Sequence, residues 1–267
     1  MSGGLQGRVL AVGGSDSSGG AGVQADIKTI TMLGGYAATA ITAVTVQDTT
    51  RVHAVHPIPV GIVIAQARAV LDDIGADAVK TGMLGSKALV EALAELFAGL
   101  DIPVVIDPVM AASTGAALLE PDAVGALRAR LVPLAALLTP NAPEAERLTG
   151  LAIATTDDLR RAGEALLGMG ARAVLMKGGH VAGESVTDIL MTADGESLFT
   201  SERIATRHSH GTGCSLASAC AAGLAQGLDL KAAVARAHDF VAEAIRQAPG
   251  LGRGQGPIDH GWPLRGR

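Results

Sequence analysis

Short apolar runs alternate with longer amphipathic stretches along this chain. The runs at 9–12, 37–46, 78–80, 104–106, 137–138 and 173–176 predict strands. The stretches at 22–33, 60–73, 87–97, 122–131, 144–148, 156–168, 213–226 and 230–248 predict helices. Strand and helix in alternation build βαβ units, so the expected class is α/β: a mostly parallel sheet with helices on both faces. The run Val-Val-Ile at 104–106 has no polar break, as a strand buried on both faces requires. Late in the chain, ESVTDILMT and SLFTSERIA flank Asp194-Gly195, which reads as a hairpin turn. No repeat and no long linker divides the sequence, so residues 1–267 read as a single domain. The segment 249–267 is rich in Gly, Pro and Arg and predicts a loosely packed terminus.

Composition narrows the function classes. At 267 residues the chain can bury a sizeable core. Hydrophobic residues are 48% and aromatics only 2%, so Ala, Val, Leu and Ile must build it. Few stacking rings and a net charge of −5 argue against nucleic acid as a partner. Cys214 and Cys220 cannot make a disulfide framework, which suits a reducing, cytoplasmic setting. The first residues lack the pattern of a signal peptide, and no run of about 18 apolar residues predicts a membrane span.

In an open parallel sheet, ligands sit beyond the carboxyl ends of the strands. After the first strand comes GGSDSSGGAGVQADIK at 13–28, where glycines allow close backbone approach ahead of a helix start. It fits neither the Walker A pattern nor G-x-G-x-x-G, and a plain strand-to-helix turn is the competing reading. After the second comes Gln47, whose amide pairs a donor with an acceptor and suits a heteroaromatic edge; a solvated loop glutamine competes. Asp107 follows Val-Val-Ile and could hold a metal or cap a turn. Asn141 and Glu144 lie three apart at a helix start, as hard oxygen ligands for Mg²⁺ or as a capping box. Lys177 precedes two glycines and could meet a phosphate tail or solvent. Gly211, Thr212, Gly213 and Cys214 stand where loop becomes helix, an anion site whose dipole favours a thiolate. Cys220, inside that helix, reads as a small core residue. His208 and His210 lack a third ligand for zinc and read as loop residues.

Taken in order, these segments resemble the ribokinase-like superfamily of small-molecule kinases. Within it they are most similar to the hydroxymethylpyrimidine/phosphomethylpyrimidine kinases of thiamine biosynthesis. The resemblance rests on GGSDSSGGAGVQADIKT (13–29), AVTVQDT (43–49), KTGML (80–84), DPVM (107–110), TPNAPEAERL (139–148), MKGGH (176–180), HGTGCS (210–215) and GQGPIDH (254–260). It departs at Thr81, where an apolar residue is commoner, and at Ser113, where some members carry Lys.

The resemblance implies a three-layer α/β/α sandwich with a mostly parallel central sheet, and a homodimer. It implies two ATP-dependent phosphorylations, of 4-amino-5-hydroxymethyl-2-methylpyrimidine and then of its monophosphate. Cys214 stands where sugar kinases of the superfamily carry an Asp base, so it would receive the alcohol proton, with Gly211, Thr212 and Gly213 holding phosphoryl charge. The aminopyrimidine would lie near Ala21, Gln47 and Met83, with Gly14, Asp26 and Val109 completing its pocket. Lys177, Asn141 and Thr212 would meet the nucleotide, and Asp107, Asn141 and Glu144 the Mg²⁺. Pyridoxal kinase, with a similar ring and CH₂OH, is the alternative within the superfamily. A sugar kinase is weakened by Cys214, and a non-catalytic sensor by the intact Asn141, Glu144 and Gly211–Cys214 set.

Overall fold

The computed structural model describes residues 6–112 and 114–265. Their strands are β1 (Arg8–Asp16), β2 (Tyr36–Gln47), β3 (Val52–Pro57), β4 (Ala78–Thr81), β5 (Val104–Ile106), β6 (Leu137–Leu138), β7 (Ala173–Met176), β8 (Ser185–Thr192) and β9 (Gly195–Glu202). One sheet takes them in the order β3-β2-β1-β4-β5-β6-β7-β8-β9. The six strands from β2 to β7 in that order run parallel. β3 at one edge and β8–β9 at the other are antiparallel. The helices are α1 (Gly22–Met32), α2 (Val60–Ala69), α3 (Lys87–Phe97), α4 (Ala123–Ala126), α5 (Ala142–Thr149), α6 (Thr156–Gly168), α7 (Thr212–Ala225) and α8 (Leu230–Arg246).

Strand alternation makes three layers. Leu10, Val12, Val79 and Ile106 point into a core closed by α2 to α6. Their chain neighbours Val9 and Val105, with Leu137 and Leu175, point into a second core closed by α1, α7 and α8. The second core is built around α7, which is buried from Ser215 to Gly223 and made almost wholly of small residues. Small side chains let α7 lie close to the sheet and to α8; a Cβ on Gly223 would meet Ala233 at 2.7 Å.

Several expectations are corrected. β1 continues four residues past the apolar run to Asp16, with a register slip between Gly13 and Ser15, so the Gly-rich segment begins as strand. β3 has no apolar face, being nearly all exposed, and periodicity could not announce it. The helices predicted at 60–73 and 122–131 end in π turns at Val70–Ile74 and Leu127–Leu131. Thr192 pairs with Gly195, so the hairpin turns at Ala193-Asp194, one residue before the predicted dipeptide. The segment after 249 is not loose: Ile258, Asp259 and His260 are buried, and Gly254 and Gln255 donate to Thr49 at 3.1 and 2.8 Å. Among the described residues no helix is long and apolar enough to cross a membrane.

Candidate active site

The carboxyl ends of β1, β4, β5, β6 and β7 open into a cavity of about 490 Å³. The positions singled out from sequence all lie in its wall: Gly14, Ala21, Asp26, Gln47, Met83, Asp107, Val109, Asn141, Glu144, Lys177 and Gly211 to Cys214. A second cavity, of about 420 Å³, lies beside it between β8–β9 and α8, against Val186, His238, Val241 and Ile245. The two share Asn141, Lys177, His180, Ser209, Thr212 and Gly213, so a single wall lies between the two cavities.

That wall carries charge. Lys177 Nζ lies 3.0 Å from Asp107 Oδ1 and 3.7 Å from Glu144 Oε2. Burial opposes its charge, but the two carboxylates outweigh burial and hold Lys177 above the usual lysine range. Burial pushes the Glu144 carboxyl up; Lys177 pulls it back, Asp107 pushes it further, and it settles at about 7. Asn141 and Glu144 also form a reciprocal capping box on α5, with both bonds at 2.9 Å. The structural and the functional reading of this pair therefore coincide in space.

The start of α7 faces the same wall. Gly211 is the N-cap with φ +87°, and a Cβ there would overlap the Gly20 carbonyl, so only glycine fits. The first-turn N–H groups have no partner within the helix, and Thr212 N–H reaches back to Ser209 O at 3.3 Å. A Cβ on Gly213 would sit 3.3 Å from Lys177 Nζ, so dipole and ammonium converge on one spot. Cys214 opens partly to the cavity. The expected thiolate is not what its surroundings favour. Burial pushes the thiol up to about 11, with Asp26 and Asp107 adding to it against the pull of Lys80 and the Gly22 N–H. At neutral pH Cys214 is a thiol, because burial overrides the helix start.

Sequence reasoning missed three residues here. Lys80 on β4 is wholly buried, its Nζ 2.7 Å from Asp26 Oδ1, which also accepts from Ser218 Oγ at 2.7 Å. Asp26, on α1, is thus held from one strand and one further helix, and its Oδ2 faces no partner among the described residues. The available signal was a lysine directly after Ala78-Val79 in a predicted strand. Asp16 accepts from Ser18 N–H, Ser18 Oγ, Ala21 N–H and His210 Nε2, all between 2.8 and 2.9 Å. Burial alone would raise Asp16, but these bonds outweigh it and bring the carboxyl to about 2. His210, expected as a loop residue, is buried in this cluster and lies 3.4 Å from Gln47 Nε2. Thr81 is buried in the sheet, and Ser113 lies outside the described residues.

Asp107 and Glu144 are two hard carboxylates on one wall, with the Asn141 amide beside them. Mg²⁺ is commonly held by one or two carboxylates together with substrate phosphates and water. The residues fit an ion of that kind, carried in with phosphates. They do not make an all-protein cage: among the described residues no three His, Cys, Asp or Glu side chains converge.

Comparison with known proteins agrees with this geometry. Residues 16–259 match the family model of phosphomethylpyrimidine kinase. The chain is 50% identical over 256 residues to the hydroxymethylpyrimidine/phosphomethylpyrimidine kinase of Streptomyces coelicolor, covering 96% of this chain and 95% of that one. Among solved structures, an ADP complex of Bacillus subtilis pyridoxal kinase superposes with TM-score 0.91 at 36% identity, over 97% of this chain and 99% of that one. The phosphomethylpyrimidine kinase of Clostridium difficile superposes with TM-score 0.79 at 40% identity, over 89% and 99%. With a ribokinase-like sheet, two cavities sharing a charged wall and these likenesses along nearly its whole length, the chain belongs to the phosphomethylpyrimidine kinase family.

Proposed function

We propose that this chain, as a single kinase domain, transfers a phosphoryl group from ATP to the hydroxymethyl group of 4-amino-5-hydroxymethyl-2-methylpyrimidine, then a second to the resulting monophosphate. The observation that carries this reading is the wall shared by the two cavities. The first cavity, with Gln47, Ala21, Gly14, Met83, Asp26 and Val109, takes the pyrimidine. The second cavity, against α8, takes the nucleotide, whose phosphates then reach the shared wall at Asn141, Lys177, Thr212 and Gly213.

Each wall residue has a role set by its geometry. Lys177 brings a positive charge to the transferring group and is held in place by Asp107 and Glu144. The N–H groups at the start of α7 meet the equatorial oxygens, where charge builds. Mg²⁺, when bound beside Asp107, Asn141 and Glu144, neutralises phosphate oxygens. Catalysis is then mostly positioning and charge neutralisation, as phosphoryl transfer requires. Cys214 lies where the alcohol is activated. With its thiol pushed up to about 11, only the minor thiolate form can accept the alcohol proton at neutral pH. The second transfer uses a phosphate oxygen, already anionic, and needs no such base.

The high similarity to a pyridoxal kinase structure favours a second reading, pyridoxal phosphorylation, in the same pocket. Rates with the pyrimidine alcohol, its monophosphate and pyridoxal separate the two. The first reading predicts turnover of both pyrimidines with kcat/KM above that for pyridoxal; pyridoxal as the sole substrate overturns it. The same reading includes a cytoplasmic location and a homodimer. For the dimer, β2 near the sheet edge offers Val44 and Val46, exposed on one face, and sedimentation velocity tests it.

A further inference from the structure

The Gln47 amide stands between two side chains whose hydrogens are already directed elsewhere, His210 at one end and Thr45 at the other. Gln47 Nε2 faces His210 Nε2 at 3.4 Å, while Gln47 Oε1 faces Thr45 Oγ1 at 3.3 Å. Asp16 accepts backbone N–H bonds at both of its oxygens, so it is an acceptor throughout. His210 Nε2, 2.8 Å from Asp16 Oδ2, must therefore carry its hydrogen and donate. A Gln47 nitrogen beside it sets donor against donor. At the other end, Thr45 Oγ1 has a single hydrogen, and it is directed to Ser15 O at 3.0 Å, the shorter of its two contacts. A Gln47 oxygen beside it sets acceptor against acceptor. With the amide turned the other way, both conflicts are relieved: Oε1 faces the positive edge of the His210 Nε2–H, whose hydrogen goes to Asp16 at 2.8 Å and is shared with Gln47 only as a long second contact, and Nε2 donates to a lone pair of Thr45 Oγ1.

We infer that Asp16, His210 and Thr45 fix the polarity of the Gln47 amide, with its acceptor toward the start of α7 and its donor toward β2, so that the pocket selects 4-amino over 4-oxo pyrimidines. This rests on the pyrimidine reading above. His210 directly precedes Gly211, where α7 begins, so the acceptor is on the side where the hydroxymethyl group must lie for transfer. In a pyrimidine with its hydroxymethyl at C5, the C4 substituent is the neighbour of that group and N3 lies beyond. A 4-amino ring offers a donor at C4 and an acceptor at N3, which matches the amide in this orientation. A 4-oxo ring offers an acceptor at C4 and a donor at N3, which is the reverse. Asp16, His210 and Thr45 are positioning residues; of these four side chains only that of Gln47 meets the ring.

The test reads the kcat/KM ratio for the 4-amino substrate against its 4-oxo analogue. Thr45→Val removes the lone pair that holds the amide nitrogen at nearly constant shape, and His210→Phe removes the donor at the other end. Each lowers the ratio about tenfold or more, since mispairing a buried amide costs about a hydrogen bond, and Thr45→Ser restores it. A folded Thr45→Val with the wild-type ratio overturns the inference, even where His210→Phe does not fold. A second readout needs no substrate. In the unliganded wild-type protein, the Gln47 side-chain NH₂ protons, assigned by their loss in Gln47→Ala, show nuclear Overhauser contacts to the Thr45 methyl group. Contacts to the His210 ring instead overturn it. If neither pyrimidine is turned over, the kinase reading has failed, and the amide direction is still decided by the spectrum.

Discussion

Glu144→Gln isolates the electrostatics of the shared wall. The carboxyl lies beside Asp107 and 3.7 Å from Lys177, and it settles at about 7 in the folded protein against an ordinary 4.5. A group raised on folding binds its proton more tightly in the native state. Its stabilising contribution is full below the unfolded value and is lost as pH rises toward the folded one. The window is therefore roughly pH 4.5 to 7, and the gap corresponds to about 3 kcal/mol. Glutamine keeps the cap bond to Asn141 N–H and cannot ionise, so it removes this loss. Urea unfolding of both proteins at pH 5 and pH 8 measures it. The stability of Glu144→Gln relative to wild type rises by up to about 3 kcal/mol from the lower to the higher pH. Because the other titrating groups are common to both proteins, they cancel in the difference. A difference that stays flat with pH refutes the claim that burial and Asp107 hold this carboxyl up. On the proposed reading the same variant also loses a carboxylate beside the phosphates, so it is expected to gain stability at pH 8 while losing turnover there.

Cys214→Ala slows phosphorylation of the alcohol by about 10²–10⁴, the usual range for a lost base, and phosphorylation of the monophosphate far less; stopped assays on each substrate show the split. In the wild-type protein, the chemical step with the alcohol climbs nearly tenfold per pH unit between 7 and 9, since the thiolate fraction does so below about 11; single-turnover rates check this, and a flat profile removes Cys214 as the base. Lys80→Met costs about 3–5 kcal/mol by leaving Asp26 buried and unpaired, whereas Lys80→Met with Asp26→Leu recovers most of it in the same urea titration.

How much of this was legible follows from what each feature needs. The parallel strands were readable because burial on both faces demands unbroken apolar runs, as at Val104–Ile106. α7 was readable from its small residues, and its start from the glycines Gly211 and Gly213. β3 was not, because an exposed edge strand carries no apolar stripe. The buried tail was missed because its anchor is not hydrophobic patterning but backbone bonds to Thr49 and the pairing of His210 with Pro257. The candidate site was legible as separate motifs, each after a strand end, and the order of the sheet brings them together. The Asp16–His210 contact was not, since it joins residues 194 positions apart and depends on how the Gly-rich segment folds back. The thiolate expectation for Cys214 failed for a related reason: a helix start is visible in sequence, whereas the depth of burial around its sulfur is not.

The central claim is that phosphoryl transfer takes place at the wall shared by the two cavities. A crystal structure with a non-hydrolysable ATP analogue and the pyrimidine alcohol tests it most directly. The account predicts the terminal phosphate within hydrogen-bond distance of Lys177 Nζ and the N–H groups of Gly213 and Cys214, with the hydroxymethyl oxygen facing it. A terminal phosphate away from residues 211–214 would contradict it.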